Sequence, residues 1–245
     1  MEKIKIGITS GDINSVSLEV ILKSLSQESI FQYITPVIYG NIKIASYHKN
    51  IVNLENLSLN VINPGEKPKS GRINVVNSWT DNVTINLGKP SVEGGKFAMM
   101  ALDNALEDLK NGTLDALVTG PIHKYSMKLA GFPFTGHTDY LKDKTNSKEV
   151  LMMMVSEKLK VGLVTDHLPL SQVTSQITKE LISRKIQIME QSLIKDFGIE
   201  KPHIAVLGLN PHAGEEGMLG SEEEEIIRPA IIEAKKSGVF VAGPY

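Results

Sequence analysis

The sequence predicts an α/β protein built on a mostly parallel β-sheet. Three observations predict it. Short apolar runs bounded by Gly, Pro or Asn recur along the chain, stretches with apolar residues three and four apart lie between them, and the two kinds alternate from end to end. At 245 residues and 41% hydrophobic content, the chain is long enough for a sizeable core, in one large domain or two smaller ones.

Each element follows from its residues. Ile4, Ile6 and Ile8 alternate with Lys3, Lys5 and Gly7 before residues 9–12 (TSGD) break the run, a first strand feeding a Gly-containing turn. From Val16 to Ser26, Leu18, Ile21, Leu22 and Leu25 stand at helical spacing. Thr35–Tyr39 reads as a second strand and Asn41–Tyr47 as a second helix. Leu57–Ile62 and Ile73–Val76 read as strands either side of the turn-rich residues 63–68. Gly94 and Gly95 then precede a long helix carrying Ala98, Ala101, Leu102, Ala105 and Leu109 on one face, and Asn111-Gly112 ends it. Leu114–Thr119 is a compact apolar strand broken by Gly120 and Pro121, and Val150–Val155 and Val161–Thr165 follow as strands.

Thr178–Phe197 is the clearest helix: Thr178 suits its N-cap, Ile182, Ile186, Met189, Leu193 and Phe197 form its stripe, and Gly198 stops it. Ile204–Leu207 reads as a buried strand. Ser221 and Glu224 then stand in capping-box spacing at the start of another helix, with an acidic run at the positive end of its dipole. Gly238 ends that helix and Val239–Val241 starts a last strand.

A net charge of −2 offers no basic field for nucleic acid or an anionic membrane. The absence of cysteine excludes disulfides, thiolate zinc sites and cysteine nucleophiles, and it fits a reducing cytoplasm. Any metal must be held by histidines and carboxylates. The opening MEKIKI lacks the apolar stretch of a secretory leader, and no apolar run approaches the roughly 20 residues that span a bilayer. A soluble cytoplasmic protein is expected.

In parallel α/β sheets, ligands bind beyond the carboxyl ends of the strands, so the loops there are the candidates for chemistry. Residues 9–17 (TSGDINSVS) hold a single glycine and match neither the dinucleotide fingerprint nor the P-loop, so they read as an ordinary strand-to-helix turn. In residues 118–124 (VTGPIHK), Pro121 suits the first position of a helix, which puts His123 and Lys124 in a first turn where cations are disfavoured. They form either a solvated pair or an anion site. In residues 134–139 (FTGHTD), His137 lies beside Thr138 and Asp139, as a helix-cap cluster or a site. His167, in residues 165–170 (TDHLPL), and His212, in residues 207–214 (LGLNPHAG), each follow an apolar strand with a proline nearby. They are either solvated loop histidines or a pair that shares a metal with a further donor. His48 and His203 have no such setting and read as structural.

Taken together, GITSGD, VTGPIHK, GFPFTGHTDY, VGLVTDHLPL and LGLNPHAGEEGMLGSEE resemble, in family order, the motifs of the 4-hydroxythreonine-4-phosphate dehydrogenase (PdxA) family of pyridoxal phosphate (vitamin B6) biosynthesis. NPHAGE following GHT and DHLPL is the most specific combination. The resemblance implies an isocitrate/isopropylmalate dehydrogenase-like fold, with two α/β/α domains around a cleft (residues 1–120 and 121–245) and a homodimer. It implies an oxidoreductase that uses NAD or NADP and a divalent metal (Zn, Co or Mg). The substrate would be 4-phosphooxy-L-threonine, a small phosphorylated amino acid, oxidised at C3 and decarboxylated to 3-amino-2-oxopropyl phosphate. His137 and Thr138 match the family's substrate-binding pair, and His167 and His212 match two of its three metal-binding histidines.

The sequence departs from the family in two places. Residues 14–19 read NSVSLE where the family carries a Gly-Ile-Gly-Pro-Glu type run, so the geometry of that turn is open. Family members also continue past the equivalent of Tyr245. The C-terminal third, with the third metal histidine, further substrate-binding residues and most of the cofactor site, is therefore expected outside this chain. A paralogue acting on another phosphorylated hydroxy acid, and a shortened homologue that binds ligand without turnover, fit the same motifs.

Overall fold

β1 (Ile4–Thr9), β2 (Ile34–Gly40), β3 (Leu59–Ile62), β4 (Ile73–Asn77) and β5 (Ala116–Thr119) form a sheet in the order β3-β4-β2-β1-β5. All four pairings are parallel; Gly7 stands opposite Val37 on one side and Leu117 on the other. The computed structural model describes residues 3–245, so Met1 and Glu2 of the MEKIKI opening lie outside it. Ile8, Val37, Ile38, Val75 and Val76 are buried, as expected of β-branched strands covered on both faces.

The helices α1 (Ser17–Leu25), α2 (Ile42–Ile51), α3 (Val92–Lys110), α4 (Lys124–Leu129) and α5 (His137–Lys144) accompany this sheet. α1 buries Leu18, Ile21, Leu22 and Leu25, the stripe its periodicity predicts. α2 opens on Asn41, whose side chain accepts from the Lys43 N–H at 2.9 Å. It runs on past Tyr47 to Ile51 and buries His48, whose Nε2 lies 2.8 Å from the Ile13 carbonyl oxygen. α3 packs on two sides. Phe97, Ala101 and Ala105 join the sheet core, while Ala98, Leu102 and Leu106 form a second cluster with Met127, Phe132 and Tyr140. Gly94 and Gly95 lie inside α3 and not ahead of it: Ser91 is the cap, accepting from the Gly94 N–H at 2.9 Å.

The chain divides into two compact units, Met1–Leu141 and Lys142–Tyr245, with the division inside α5. Residues 121–141, grouped on sequence with the second domain, thus belong to the first unit. Met127, Phe132 and Tyr140 in that stretch pack on α3.

The second unit holds β6 (Met153–Val155), β7 (Lys160–Gly162), α6 (Leu170–Gln176), α7 (Lys179–Lys195), β8 (Ile204–Ala205), α8 (Arg228–Lys236) and β9 (Val241–Ala242). β8 and β9 pair parallel, whereas β6 and β7 form an antiparallel hairpin. A parallel crossover needs about a dozen residues or more. The link between β6 and β7 instead closes as a tight turn, with the Ser156 N–H donating to the Leu159 carbonyl at 2.8 Å. The core of this unit is made by Ile182, Ile186 and Leu193 of α7, Ala230, Ile231 and Ala234 of α8, and Ile204, Val239 and Val241 of the strands. Thr178 caps α7 as its sequence predicts, its Oγ1 accepting from the Leu181 N–H at 3.1 Å. Among the described residues no helix is long and apolar enough to cross a membrane.

Candidate active site

In the first unit the loops after β1 and β5 are tied together. The Gly120 N–H donates to the Thr9 hydroxyl at 3.0 Å and to its carbonyl at 3.1 Å, and the Asp12 N–H donates to the Pro121 carbonyl at 3.0 Å. Gly11 has φ 63°, and a Cβ there would stand 2.2 Å from the Pro121 oxygen, so this crossing requires glycine. The departure at residues 14–19 is compensated by hydrogen bonds. The Asn14 N–H donates to Asp12 Oδ1 at 2.8 Å, its own Oδ1 accepts from the Asn86 N–H at 2.7 Å, and its Nδ2 donates to Ser91 Oγ at 3.0 Å. None of these residues needs a positive φ.

The VTGPIHK loop is a cap more than an anion site. α4 begins at Lys124, later than Pro121 suggests, and His123 is its N-cap, with Nδ1 accepting from the Ser126 N–H at 3.3 Å. That bond occupies a ring nitrogen as an acceptor.

His137 opens α5 and Thr138 follows it, both half-buried. Just ahead, the Thr135 hydroxyl donates to the Asp139 carboxylate. The helix start is held from below: the Tyr140 hydroxyl donates to Asp103 on α3, and the Tyr140 ring lies 5.6 Å from both Phe132 and Phe134. His137 Nε2 is buried with no hydrogen-bond partner among the described residues. A buried polar atom left without a partner is uncommon and costs free energy, so it marks a place where a ligand atom can complete the site. Burial holds the His137 pKa below the usual histidine value, which favours the neutral ring.

In the second unit, His167 and His212 both lie exposed on loops with φ near +50°. His167 Nδ1 stands 3.3 Å from Asp166 Oδ1. A carboxylate behind one ring nitrogen fixes the tautomer and leaves Nε2 as a donor toward a cation, the pattern common behind metal-ligating histidines. Among the described residues His212 has no hydrogen-bond or ion-pair partner for its imidazole. It starts a run of five left-handed residues, His212 to Glu216, in which only Gly214 is a glycine. Each of the other four costs on the order of 1–2 kcal/mol relative to right-handed backbone, so the surroundings must hold the run in place.

Glu223, which the sequence left inside an acidic run, is the missed residue. It is 1% exposed, and its Oε1 accepts from the N–H groups of Leu209 and Asn210, both at 2.7 Å. Its Oε2 accepts from Asn210 Nδ2 at 2.9 Å. Burial acts to raise its pKa, but these bonds outweigh it and hold the carboxyl below its usual value. The capping box expected of Ser221 and Glu224 does not form. Glu224 instead pairs with Arg228, through Nε at 2.9 Å and Nη2 at 2.7 Å. No group of three His, Asp or Glu side chains among the described residues converges to hold a metal. His167 and His212 each offer an imidazole nitrogen of a kind that suits a divalent cation.

Residues 32–245 match the model of the family described as pyridoxal phosphate biosynthetic protein PdxA. The chain is 43% identical, over 99% of its length and 67% of the relative's, to the 4-hydroxythreonine-4-phosphate dehydrogenase of Bacteroides thetaiotaomicron. It superposes on the crystal structure of the 4-hydroxythreonine-4-phosphate dehydrogenase of Klebsiella pneumoniae with a TM-score of 0.86 at 29% identity, covering 100% of this chain and 74% of that one. The structure of the Burkholderia phymatum 4-hydroxythreonine-4-phosphate dehydrogenase gives a TM-score of 0.83 at 32% identity, with 100% and 74% covered.

Proposed function

The chain belongs to the PdxA family, and on that premise we propose that it is a 4-hydroxythreonine-4-phosphate dehydrogenase of pyridoxal phosphate biosynthesis, a cytoplasmic homodimer dependent on NAD or NADP and a divalent cation. The observation that carries the reading is the likeness to enzymes of that name over 99% of the chain. The buried, unpartnered Nε2 of His137 supports it from the chain's own geometry.

In this reading His137 and Thr138 bind the substrate, their N–H and O–H groups hydrogen-bonding its phosphate or carboxylate oxygens. Phe132, Phe134 and Tyr140 pack ring against ring around the start of the helix that carries both residues. His167 and His212 hold the cation, with Asp166 orienting the first imidazole. A bound nicotinamide would supply the hydride acceptor for C3, and a divalent cation held by His167 and His212 would supply the positive charge that acidifies the C3 hydroxyl and offsets the charge left on decarboxylation.

NAD(P)+ reduction with 4-phosphooxy-L-threonine and Zn2+, Co2+ or Mg2+ tests the reading. His137→Ala is expected to lose roughly 10- to 100-fold in kcat/KM, the value of a hydrogen bond to a charged group. Turnover of another phosphorylated hydroxy acid but not of this substrate would sink the assignment.

A further inference from the structure

The left-handed run from His212 to Glu216 is enclosed by one side chain. The Glu223 carboxylate accepts from the backbone of Leu209 and Asn210, just before His212, and from the Asn210 amide, which also donates to Glu222 Oε2 at 2.8 Å. Just after His212, a Cβ on Gly214 would stand 2.7 Å from Glu223 Oε2, and one on Gly208 would stand 3.3 Å from Oε1. The loop is therefore folded around this carboxylate on both sides of the histidine. Glu223 itself leaves the solvated acidic run through a single π-type turn, Glu223–Ile227, which buries Glu223 and Ile227 and leaves Glu224 and Glu225 exposed.

We propose that Glu223 is a positioning residue for His212: its buried carboxylate fixes the loop path that presents the imidazole to a divalent cation. The proposal rests on His212 being a cation ligand. Three N–H donors converge on Glu223. An anionic acceptor satisfies all three with short, charge-assisted bonds, which a neutral amide cannot do without turning a donor against Asn210. Together with backbone bonds from the Met218 N–H to the Glu215 carbonyl and from the Leu219 N–H to the Gly214 carbonyl, these bonds hold four non-glycine residues in left-handed backbone.

The test is Zn2+ binding by calorimetry on the 245-residue protein, with circular dichroism to measure the folded fraction and hydrogen exchange at the amides of Leu209 and Asn210. Glu223→Gln is expected to weaken Zn2+ binding about 10-fold, the lower end for loss of an outer-shell partner, and Glu223→Ala about 100-fold. Exchange at both amides should accelerate while the folded fraction is unchanged. If Glu223→Ala does not fold, Glu223→Gln carries the test. Wild-type affinity or unchanged exchange in Glu223→Gln, with Zn2+ binding lost in His212→Ala, would overturn the positioning role and leave the ligand assignment standing. Zn2+ affinity unchanged in both His167→Ala and His212→Ala, or no binding by the wild type, would overturn the ligand assignment itself.

Discussion

Gly95 of α3 lies so close to Ser126 of α4 that a Cβ on the glycine would stand 2.1 Å from the Ser126 carbonyl oxygen. The two helices meet backbone to backbone, and Ser126 Oγ accepts from the Ser91 N–H at 3.1 Å in the same contact. This junction fixes the segment that leads into His137. Gly95→Ala gains about 1 kcal/mol of helix propensity, but it pushes against a carbonyl that cannot swing away. A net loss of about 1–3 kcal/mol is expected in urea unfolding. Gly136→Ala, where a Cβ meets nothing within 4 Å, should stay within about 0.5 kcal/mol of wild type.

His48 gives the first unit a pH dependence. It is 3% exposed, and burial lowers its pKa, a shift the bond to the Ile13 carbonyl and the charge of Glu19 only partly offset. The unfolded chain therefore takes up a proton near pH 6.5 that the folded chain refuses until a lower pH. This contribution is complete above about pH 6.5 and is lost as pH falls from there toward the folded value. Unfolding free energies measured across that window should show the slope, and His48→Gln should flatten it. An unchanged slope would contradict the assignment.

Tyr39 and Asp108 form a buried pair, the hydroxyl donating to Oδ2 at 2.6 Å. Burial, then the hydrogen bond to Asp108 and its charge, raise the tyrosine pKa. Tyr39→Phe keeps the ring and strips the carboxylate of this donor, so thermal unfolding should report a loss of about 1–3 kcal/mol.

Thr178→Ala removes the side-chain acceptor for the Leu181 N–H. About 1 kcal/mol of stability should go with it, read as a lower unfolding midpoint of the second unit. Thr178→Ser should restore most of it.

The sequence by itself determined the α/β class, the stripes of α1 and α7, the Thr178 cap and the candidate loops around His137, His167 and His212. Those features are written in neighbours three or four residues apart, in turn residues, and in motifs whose order is linear. Only the tertiary structure decided which of four consecutive glutamates turns inward. Capping-box spacing points to Glu224 and no local rule points to Glu223, which is singled out by backbone donors 13 and 14 positions away. It likewise decided that Gly94 and Gly95 sit within α3, because the reason for them is the carbonyl of Ser126 and the carboxylate of Asp12. The length of the Ser156–Leu159 turn did contain the antiparallel hairpin of β6 and β7, but apolar periodicity alone does not carry strand direction. A burial pattern is a property of neighbours along the chain, whereas a hydrogen bond to a buried charge exists only once distant segments have met.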